Sequence, residues 1–345
     1  MATIYDIARY VGVSKSTVSS VLNKDPRVKE ETRVRVEDAI RELGYVRNSS
    51  AVSLSKQITK TIGIVSAVDK IRVAPYEAEN EVGRYSMDVR NSIFDQLADT
   101  DYSVITERCF FPGSEGLIPR IIKSGRVDGV ILISSKFEQE IIDKIRRLGV
   151  PVVGIGARFG GIDMVSPDYR GGTYLATKEL IQSGCRNIVL FNAPERYKEE
   201  AIAARREGWS RAIAEYQGDD IRYTEIPSPA ISGGGGYLAM KELWEKGLRP
   251  DGITTANEMI ALGAIRFLNE QGVKVPDDVS VVAFEASDLG GCAVTPVTAI
   301  DICKRKIGAK AVELLIRRIE NPQLPIEKHV IESVLLPRAS VIKRW

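Results

Sequence analysis

Residues 4–22 read Ile4-Tyr-Asp-Ile-Ala-Arg-Tyr-Val-Gly12-Val-Ser14-Lys-Ser-Thr-Val-Ser-Ser-Val-Leu22, and this stretch decides how the chain begins to fold. Its apolar residues recur at helical spacing up to Gly12, and a glycine is a common helix stop. Ser14 then occupies the N-cap position of a second helix. Two short helices around a tight turn predict a helix-turn-helix, a motif whose second helix enters the major groove of DNA.

The second helix of this unit has an apolar face and a small polar face. Its inward positions are Val13, Val18 and Val21, and its outward positions are Lys15, Ser16, Ser19 and Ser20. A third helix is predicted from Glu30 to Leu43, with Val34, Val36, Ile40 and Leu43 as its apolar positions and Gly44 as its stop. On this pattern alone, a three-helix bundle without a DNA role is the alternative.

Charge and composition agree with a basic DNA-binding head on a larger globular body. The 345-residue chain carries a formal net charge of +2, yet residues 1–60 hold 11 Lys and Arg against 7 Asp and Glu. A basic segment favours a polyanionic partner. The N-terminus lacks the basic and apolar stretches of a secretory signal, and we find no apolar run long enough to span a membrane. We therefore expect a cytoplasmic protein with no membrane partner.

From Thr61 onward, short apolar runs alternate with stretches of helical periodicity. Strands are predicted at 61–65, 103–106, 129–133, 152–155, 187–191, 221–226, 252–255, 280–284 and 297–300, and helices near 85–98, 115–124, 138–148, 171–183, 200–216, 235–246, 258–271 and 304–320. This alternation predicts parallel sheets covered on both faces, with ligands bound beyond the carboxyl ends of the strands. Two such units in tandem predict a two-lobed α/β body.

Motifs from both parts of the chain carry a family resemblance. They are Thr3-Ile-Tyr-Asp-Ile-Ala, Gly12-Val-Ser, Thr17-Val-Ser, Val21-Leu-Asn, Thr32-Arg, Leu43-Gly-Tyr with Asn48, Arg205-Arg-Glu-Gly-Trp209, the stretch from Pro250 to Gly263, Val275-Pro-Asp-Asp-Val-Ser-Val-Val and Arg338-Ala-Ser340. With them the chain resembles the LacI/GalR (lactose/galactose-repressor) family over essentially its full length.

The resemblance implies an all-α helix-turn-helix head at 1–45, a hinge helix or linker at 46–60 and a periplasmic-binding-protein-like body at 61–345. That body would contain two doubly wound parallel sheets, with a first lobe at about 61–166 and 286–325. The second lobe would then span about 167–285 and 326–345.

The resemblance also implies which residues contact DNA. Lys15, Ser16 and Ser20 take base-reading positions, and the phosphate-positioning residues are Thr3, Tyr5, Ser14, Thr17, Ser19, Asn23, Thr32, Tyr45 and Asn48. In the linker, Leu54 falls on a leucine that wedges between base pairs in the minor groove, and Ala51 on a small residue where two hinge helices meet. Many relatives have Arg at the position of Ser20, so the operator sequence stays open.

Ligand positions can be transferred in the same way. Asp168, Arg205 and Asn257 match family ligand positions, and Glu285 occupies the place of a family Asp. In the first lobe, a longer loop at 66–83 leads to Arg84 and Tyr85, which replace an aromatic pair. Arg84 suits an acidic ligand such as a uronate or a sugar phosphate.

The function implied is a sequence-specific DNA-binding repressor that acts as a homodimer on operator DNA. A small-molecule effector between the lobes, a sugar or sugar derivative, would control operator affinity; a corepressor-dependent regulator responding to a purine-like or other non-sugar metabolite is the alternative. The GxSxG, Walker and HExxH motifs of enzymes do not occur, and we expect no catalysis, cofactor or metal. The run Gly233–Gly236 is interpreted as a flexible turn.

Overall fold

The computed structural model describes residues 2–22, 25–45, 58–69, 84–111, 113–114, 116–133, 137–156, 159–194, 199–218 and 220–344. The chain divides into two compact units, Met1–Thr59 and Lys60–Trp345. Within the described ranges, no helix is both long enough and apolar enough to cross a membrane. We refer to the first unit as the head and to the second as the body.

The described residues of the head form three helices, α1 (Ile4–Val11), α2 (Lys15–Leu22) and α3 (Glu30–Glu42). A capping box starts α1, because the Thr3 hydroxyl accepts from the amide of Asp6 while the Asp6 carboxylate accepts from the amide of Thr3. Gly12 ends this helix in the left-handed region at φ 72°, as its position in the sequence predicts.

One apolar cluster closes the head, and it corrects the predicted face of α3. The cluster contains Ile7, Ala8, Val11, Val18, Val21, Val36 and Ala39. Val34 was predicted to point inward, but it is 47% exposed. Val36 and Ala39 lie on one face of the helix, and a residue two positions before Val36 points to the opposite side.

In the described residues of the body, twelve strands form two sheets of six. The strands are β1 (Thr61–Asp69), β2 (Ser103–Phe111), β3 (Gly129–Ile133), β4 (Val152–Ile155), β5 (Asp163–Pro167), β6 (Asn187–Asn192), β7 (Arg222–Pro227), β8 (Gly252–Thr255), β9 (Ser280–Phe284), β10 (Thr298–Asp301), β11 (Lys328–Ile331) and β12 (Val334–Leu336). The first sheet has the order β11-β5-β4-β3-β1-β2, and the second has the order β12-β10-β9-β8-β6-β7. The described strand pairs are parallel except for β10 with β12.

Helices connect these strands. They are α4 (Arg84–Leu97), α5 (Arg120–Lys123), α6 (Gln139–Arg147), α7 (Tyr169–Gln182), α8 (Glu199–Ala214), α9 (Gly233–Glu245), α10 (Glu258–Glu270), α11 (Asp288–Gly291) and α12 (Lys304–Glu320). The two-lobed α/β architecture is therefore confirmed. The pattern did not predict β5, β11 or β12, which are short strands in or beside the sheet edges.

The lobe boundaries differ from the expected ones at two crossings. We expected the chain to return to the first lobe at 286, but β10 pairs with β9, so residues through Asp301 belong to the second lobe. The return comes with α12, which packs on β3, β4 and β5. We expected the last crossing at 326, but β11 pairs with β5 in the first sheet, and the chain crosses after Ile331. A short edge strand carries no local signal of the sheet that it joins.

The four-glycine run is helical rather than a flexible turn. Gly233–Gly236 form the first turn of α9, and the Ser232 hydroxyl caps it by accepting from the amide of Gly235 at 3.0 Å. A Cβ atom at Gly236 would overlap the carbonyl oxygen of Ile260, and one at Gly263 would overlap that of Gly233. Helices α9 and α10 therefore pack at a separation that side chains at these positions would prevent.

Candidate DNA-binding surface and effector cleft

The start of α2 carries a compact group of polar side chains. The Ser14 hydroxyl accepts from the amide of Thr17 at 3.1 Å, which confirms Ser14 as the N-cap. It also shares hydrogen bonds with the hydroxyls of Ser16, at 2.6 Å, and Thr17, at 2.9 Å. Hydroxyl groups can turn as donors toward phosphates or base edges, so this group suits a nucleic-acid partner.

An exposed aromatic residue adjoins this group. Tyr5 on α1 is 59% exposed, and its hydroxyl accepts from the Lys15 ammonium at 3.1 Å. The same ammonium lies 4.8 Å from the centroid of the Tyr5 ring. This contact brings a predicted phosphate-positioning residue and a predicted base-reading residue together. Helix α3 is held against the end of α1, because the Arg35 guanidinium donates to the carbonyl oxygen of Val11 at 2.6 Å.

The remaining head positions differ in exposure. Thr3 and Ser16 are exposed, and the half-buried positions are Thr17, Ser19, Ser20, Thr32 and Tyr45. Four positions predicted to contact DNA, Asn23, Asn48, Ala51 and Leu54, lie outside the described residues.

In the body, Arg205 on α8 is the most unusual side chain, since it is only 5% exposed. Its guanidinium stacks 4.6 Å from the centroid of the Tyr169 ring and 5.3 Å from that of Phe284. It donates to the carbonyl oxygens of Ala256, at 3.3 Å, and Ala201, at 3.5 Å. Its Nε has no hydrogen-bond partner among the described residues. A buried cation without a hydrogen-bonded carboxylate is costly, which makes this group a candidate for ligand binding.

A carboxylate lies in the same region. Glu285 follows β9 and adopts the left-handed region at φ 65°, which is uncommon for a residue with a side chain. Burial raises the pKa of Glu285, whereas the positive charges of Arg205 and Lys304 act to lower it. Burial in turn lowers the pKa of Arg205. An acidic and a basic group thus share one partly desolvated region.

Two tyrosines from different lobes approach the same point. A Cβ atom at Gly156, directly after β4, would lie 3.6 Å from the Tyr85 hydroxyl and 3.9 Å from the Tyr169 hydroxyl. The Tyr85 hydroxyl is buried, with no hydrogen-bond partner in the described part of the chain. Burial raises the pKa of Tyr169 to about 12, so both tyrosines stay neutral donors at physiological pH. We call the region lined by Tyr85, Tyr169, Arg205 and Glu285 the cleft.

Residues of the cleft follow the carboxyl ends of parallel strands, where we expect a ligand to bind. Gly156, Tyr169 and Glu285 each come shortly after the carboxyl end of a parallel strand. Asn257 follows β8, and its neighbour Ala256 accepts from Arg205. The Asn257 side chain caps α10 by accepting from the amide of Ile260 at 2.9 Å.

Two further predicted effector residues, Asp168 and Arg84, are not among the residues that line the cleft. Asp168 caps α7, where its carboxylate accepts from the amide of Gly171 at 2.8 Å. The Arg84 side chain is exposed at the start of α4. The sequence reasoning missed Tyr169 and Phe284, whose rings stack with centroids 6.0 Å apart. The predicted helix at 171–183 placed Tyr169 close to a helix start, but the strand before it was not predicted, so the sequence offered little signal for this residue.

The described residues contain no group of three or more His, Cys, Asp and Glu placed to hold a metal ion. The polar groups of the cleft are instead hydrogen-bond donors, one carboxylate and aromatic faces. Such a set suits an organic ligand with several hydroxyl or amide groups.

A chain that contains both a helix-turn-helix head and a two-lobed body with a candidate ligand cleft is typical of a DNA-binding regulator of transcription. Residues 3–48 match the family of bacterial regulatory proteins, lacI family, and residues 177–341 match the periplasmic binding protein-like domain. The chain is 32% identical to the HTH-type transcriptional repressor PurR of Glaesserella parasuis, over 99% of this chain and 98% of that protein. It is 30% identical to the ribose operon repressor of Escherichia coli, over 99% of this chain and 100% of that protein.

The chain belongs to the LacI family, and it is a DNA-binding transcriptional repressor. The fold agrees with this assignment. The crystal structure of the lac repressor dimer bound to operator and the anti-inducer ONPF is similar over 99% of both chains, with a TM-score of 0.79 at 22% identity.

Proposed function

We propose that a homodimer of this protein binds operator DNA and that a sugar or sugar derivative in the cleft controls its operator affinity. The observation that carries this proposal is Arg205, which is buried and which, among the residues that the structure describes, has neither a hydrogen-bonded carboxylate nor a partner for its Nε. A polyhydroxylated ligand would satisfy this donor and the Tyr85 hydroxyl together, and it would accept and donate at Glu285.

The DNA-binding part of the proposal rests on the polar start of α2. Lys15, Ser16 and Ser20 would read base edges, while the surrounding hydroxyls and Tyr5 would fix the register on the phosphates. Two heads of a homodimer would occupy two half-sites of a near-palindromic operator. Between the two half-sites, Leu54 would wedge into the minor groove, and Ala51 would lie where the two hinge segments meet.

Coupling between the two sites would follow from lobe movement. A ligand that contacts Tyr85 in the first lobe and Arg205 in the second favours one relative position of the lobes. Because such coupling is reciprocal, operator DNA should change effector affinity by the same factor by which the effector changes operator affinity.

A second candidate is a purine-like corepressor. The stacked rings of Tyr169 and Phe284, at an interplanar angle of 23°, favour a flat heterocycle as much as the face of a sugar. The relatives also include both PurR and a ribose operon repressor, so similarity alone does not choose between the two classes.

A titration of operator binding tests the proposal. The full-length protein would be bound, at fixed salt, to the DNA upstream of its own gene, with ribose, galactose, glucose, hypoxanthine or guanine added. We expect one sugar to weaken binding by about tenfold or more. Tightening by a purine base would establish the second candidate. If the protein binds this DNA but no compound changes its affinity, control through the cleft is refuted.

A further inference from the structure

An ion pair borders the cleft on the side of the first lobe. Asp88 lies one helical turn after Tyr85 on α4, and Lys304 is the first residue of α12. The Lys304 ammonium donates to the Asp88 carboxylate at 2.7 Å, and the side chains are 12% and 32% exposed. The Ser92 hydroxyl donates to the carbonyl oxygens of Lys304, at 3.3 Å, and Arg305, at 3.2 Å, which holds the two helices together beside this pair.

This pair lies near two further charges of opposite sign, Glu285 and Arg205. We call Asp88, Lys304, Glu285 and Arg205 together the charge row. Both cations lower the pKa of Glu285 and Asp88 raises it, so all three lie within electrostatic range of that carboxyl. Glu258 also acts on Glu285, but it is neutralised by Arg338 at 3.2 Å. Within the described part of the chain, the row is thus balanced, with two carboxylates and two cations.

We propose that this charge row selects an effector without net charge, and that Asp88 is the specificity residue that excludes anionic sugars. The inference rests on the proposed function, because it concerns the same cleft. Asp88 already neutralises Lys304, so a uronate or sugar phosphate would bring a third negative charge toward Asp88 and Glu285. Repulsion between like charges is strong where water is scarce. A neutral sugar adds no charge to the row, and it can still accept hydrogen bonds from every donor of the cleft.

This selection would work mainly by repelling anionic ligands rather than by attracting neutral ones. Arg205 can hydrogen-bond a hydroxyl as well as an anion, so attraction alone would not discriminate between them. This proposal differs from the acidic ligand that Arg84 would suit. It rests on the ion pair of Asp88 and Lys304, one helical turn from Tyr85, whereas the Arg84 side chain is exposed.

Matched ligands test the inference on the full-length protein. Binding of ribose and ribose 5-phosphate, and of glucose, glucuronate, glucose 6-phosphate and glucosamine, would be measured by calorimetry at fixed salt, with operator release as a second readout. We expect the wild-type protein to prefer a neutral member over its anionic partners by at least about tenfold. Asp88→Asn, which leaves Lys304 without its carboxylate, should lower the ratio of neutral-ligand affinity to anionic-ligand affinity by about tenfold. Lys304→Gln should shift the preference toward glucosamine.

The control is Glu313→Gln, which removes a carboxylate from an exposed ion pair with Lys310, at 2.8 Å on the same helix. This control should leave the ratio unchanged. Preference of the wild-type protein for an anionic member, or an unchanged ratio in both cleft variants, overturns the charge selection while effector control stands. If no sugar or purine of either charge binds, the proposed effector itself is refuted, and the selection is refuted with it.

Discussion

Two arginines of the body differ in how their hydrogen bonds are satisfied. Arg318 on α12 forms a bidentate pair with Asp163, with both N–O distances at 2.9 Å, and also donates to the carbonyl oxygens of Pro322, Leu324 and Pro325. Arg205 is buried more deeply, at 5% exposed against 14% for the Arg318 side chain, but the described residues offer it only two long contacts to carbonyl oxygens and leave its Nε unpartnered. A guanidinium with all its partners supports the fold, whereas one that lacks them in a cleft is available to a ligand.

The surroundings of Arg318 show what it supports. Asp163 is 2% exposed and opens β5, and its carboxylate also accepts from the amide of Glu327 at 2.8 Å. The pair therefore fastens α12 and the segment before β11 to the edge of the first sheet. Around Arg205, the neighbouring groups are aromatic rings and a carboxylate that forms no ion pair with it in the structure.

The comparison predicts the largest effect for Arg318→Met. This change leaves the Asp163 carboxylate buried without its cation, and we expect the free energy of unfolding to fall by about 3–5 kcal/mol. Urea unfolding would measure the loss. The matched control is Arg317→Met, since Arg317 is 43% exposed and should contribute about 1 kcal/mol or less. Equal losses in the two variants would contradict the structural role of the Arg318 pair.

Arg205→Met should change stability little and effector affinity greatly. Replacing a buried cation that lacks a hydrogen-bonded carboxylate by an apolar side chain is expected to change the free energy of unfolding by less than about 1 kcal/mol. The effector that acts on the wild-type protein should bind about 100-fold more weakly, because its hydrogen-bond donor is lost. Urea unfolding and calorimetry would measure the two quantities. A loss of stability as large as that of Arg318→Met would end the distinction between the two arginines.

The smallest effect is expected for Glu285→Gln, and it depends on pH. Because burial raises the pKa of Glu285 above its ordinary 4.5, the charged form destabilises the folded protein at neutral pH. This penalty disappears as the pH falls through the folded-state pKa, where the carboxyl becomes protonated. The variant should therefore melt slightly above the wild-type protein at pH 7, with a smaller difference near pH 4. A difference that grows in acid would show that Glu285 is stabilised as a carboxylate.

The sequence predicted the elements whose residues are buried on both sides. Strands such as β3 and β9 are buried at every position and, apart from Ser280, contain no polar side chain, and parallel strands of this kind have few alternatives. It did not predict β11, whose Lys328 and His329 follow no apolar run, nor the sheets that β10 and β11 join. Those pairings depend on contacts distant in the sequence.

The residues in and beside the cleft also divide into those that the sequence predicted and those that it did not. Arg205 and Glu285 were predicted from the family resemblance and from positions at a helix start and after a strand, respectively. The pair between Asp88 and Lys304 was not, because 216 residues separate them and neither lies in a motif. Only the fold, which places the starts of α4 and α12 side by side, makes this pair visible.

The late crossings also constrain how the protein can fold during synthesis. One edge of the first sheet is β11, at 328–331, and one edge of the second is β12, at 334–336. A ribosome must therefore have translated more than nine-tenths of the chain before either lobe can complete its sheet. Although domains usually fold one after another as they emerge, these two lobes share their final step, and a stop codon before residue 328 would leave both of them unfinished.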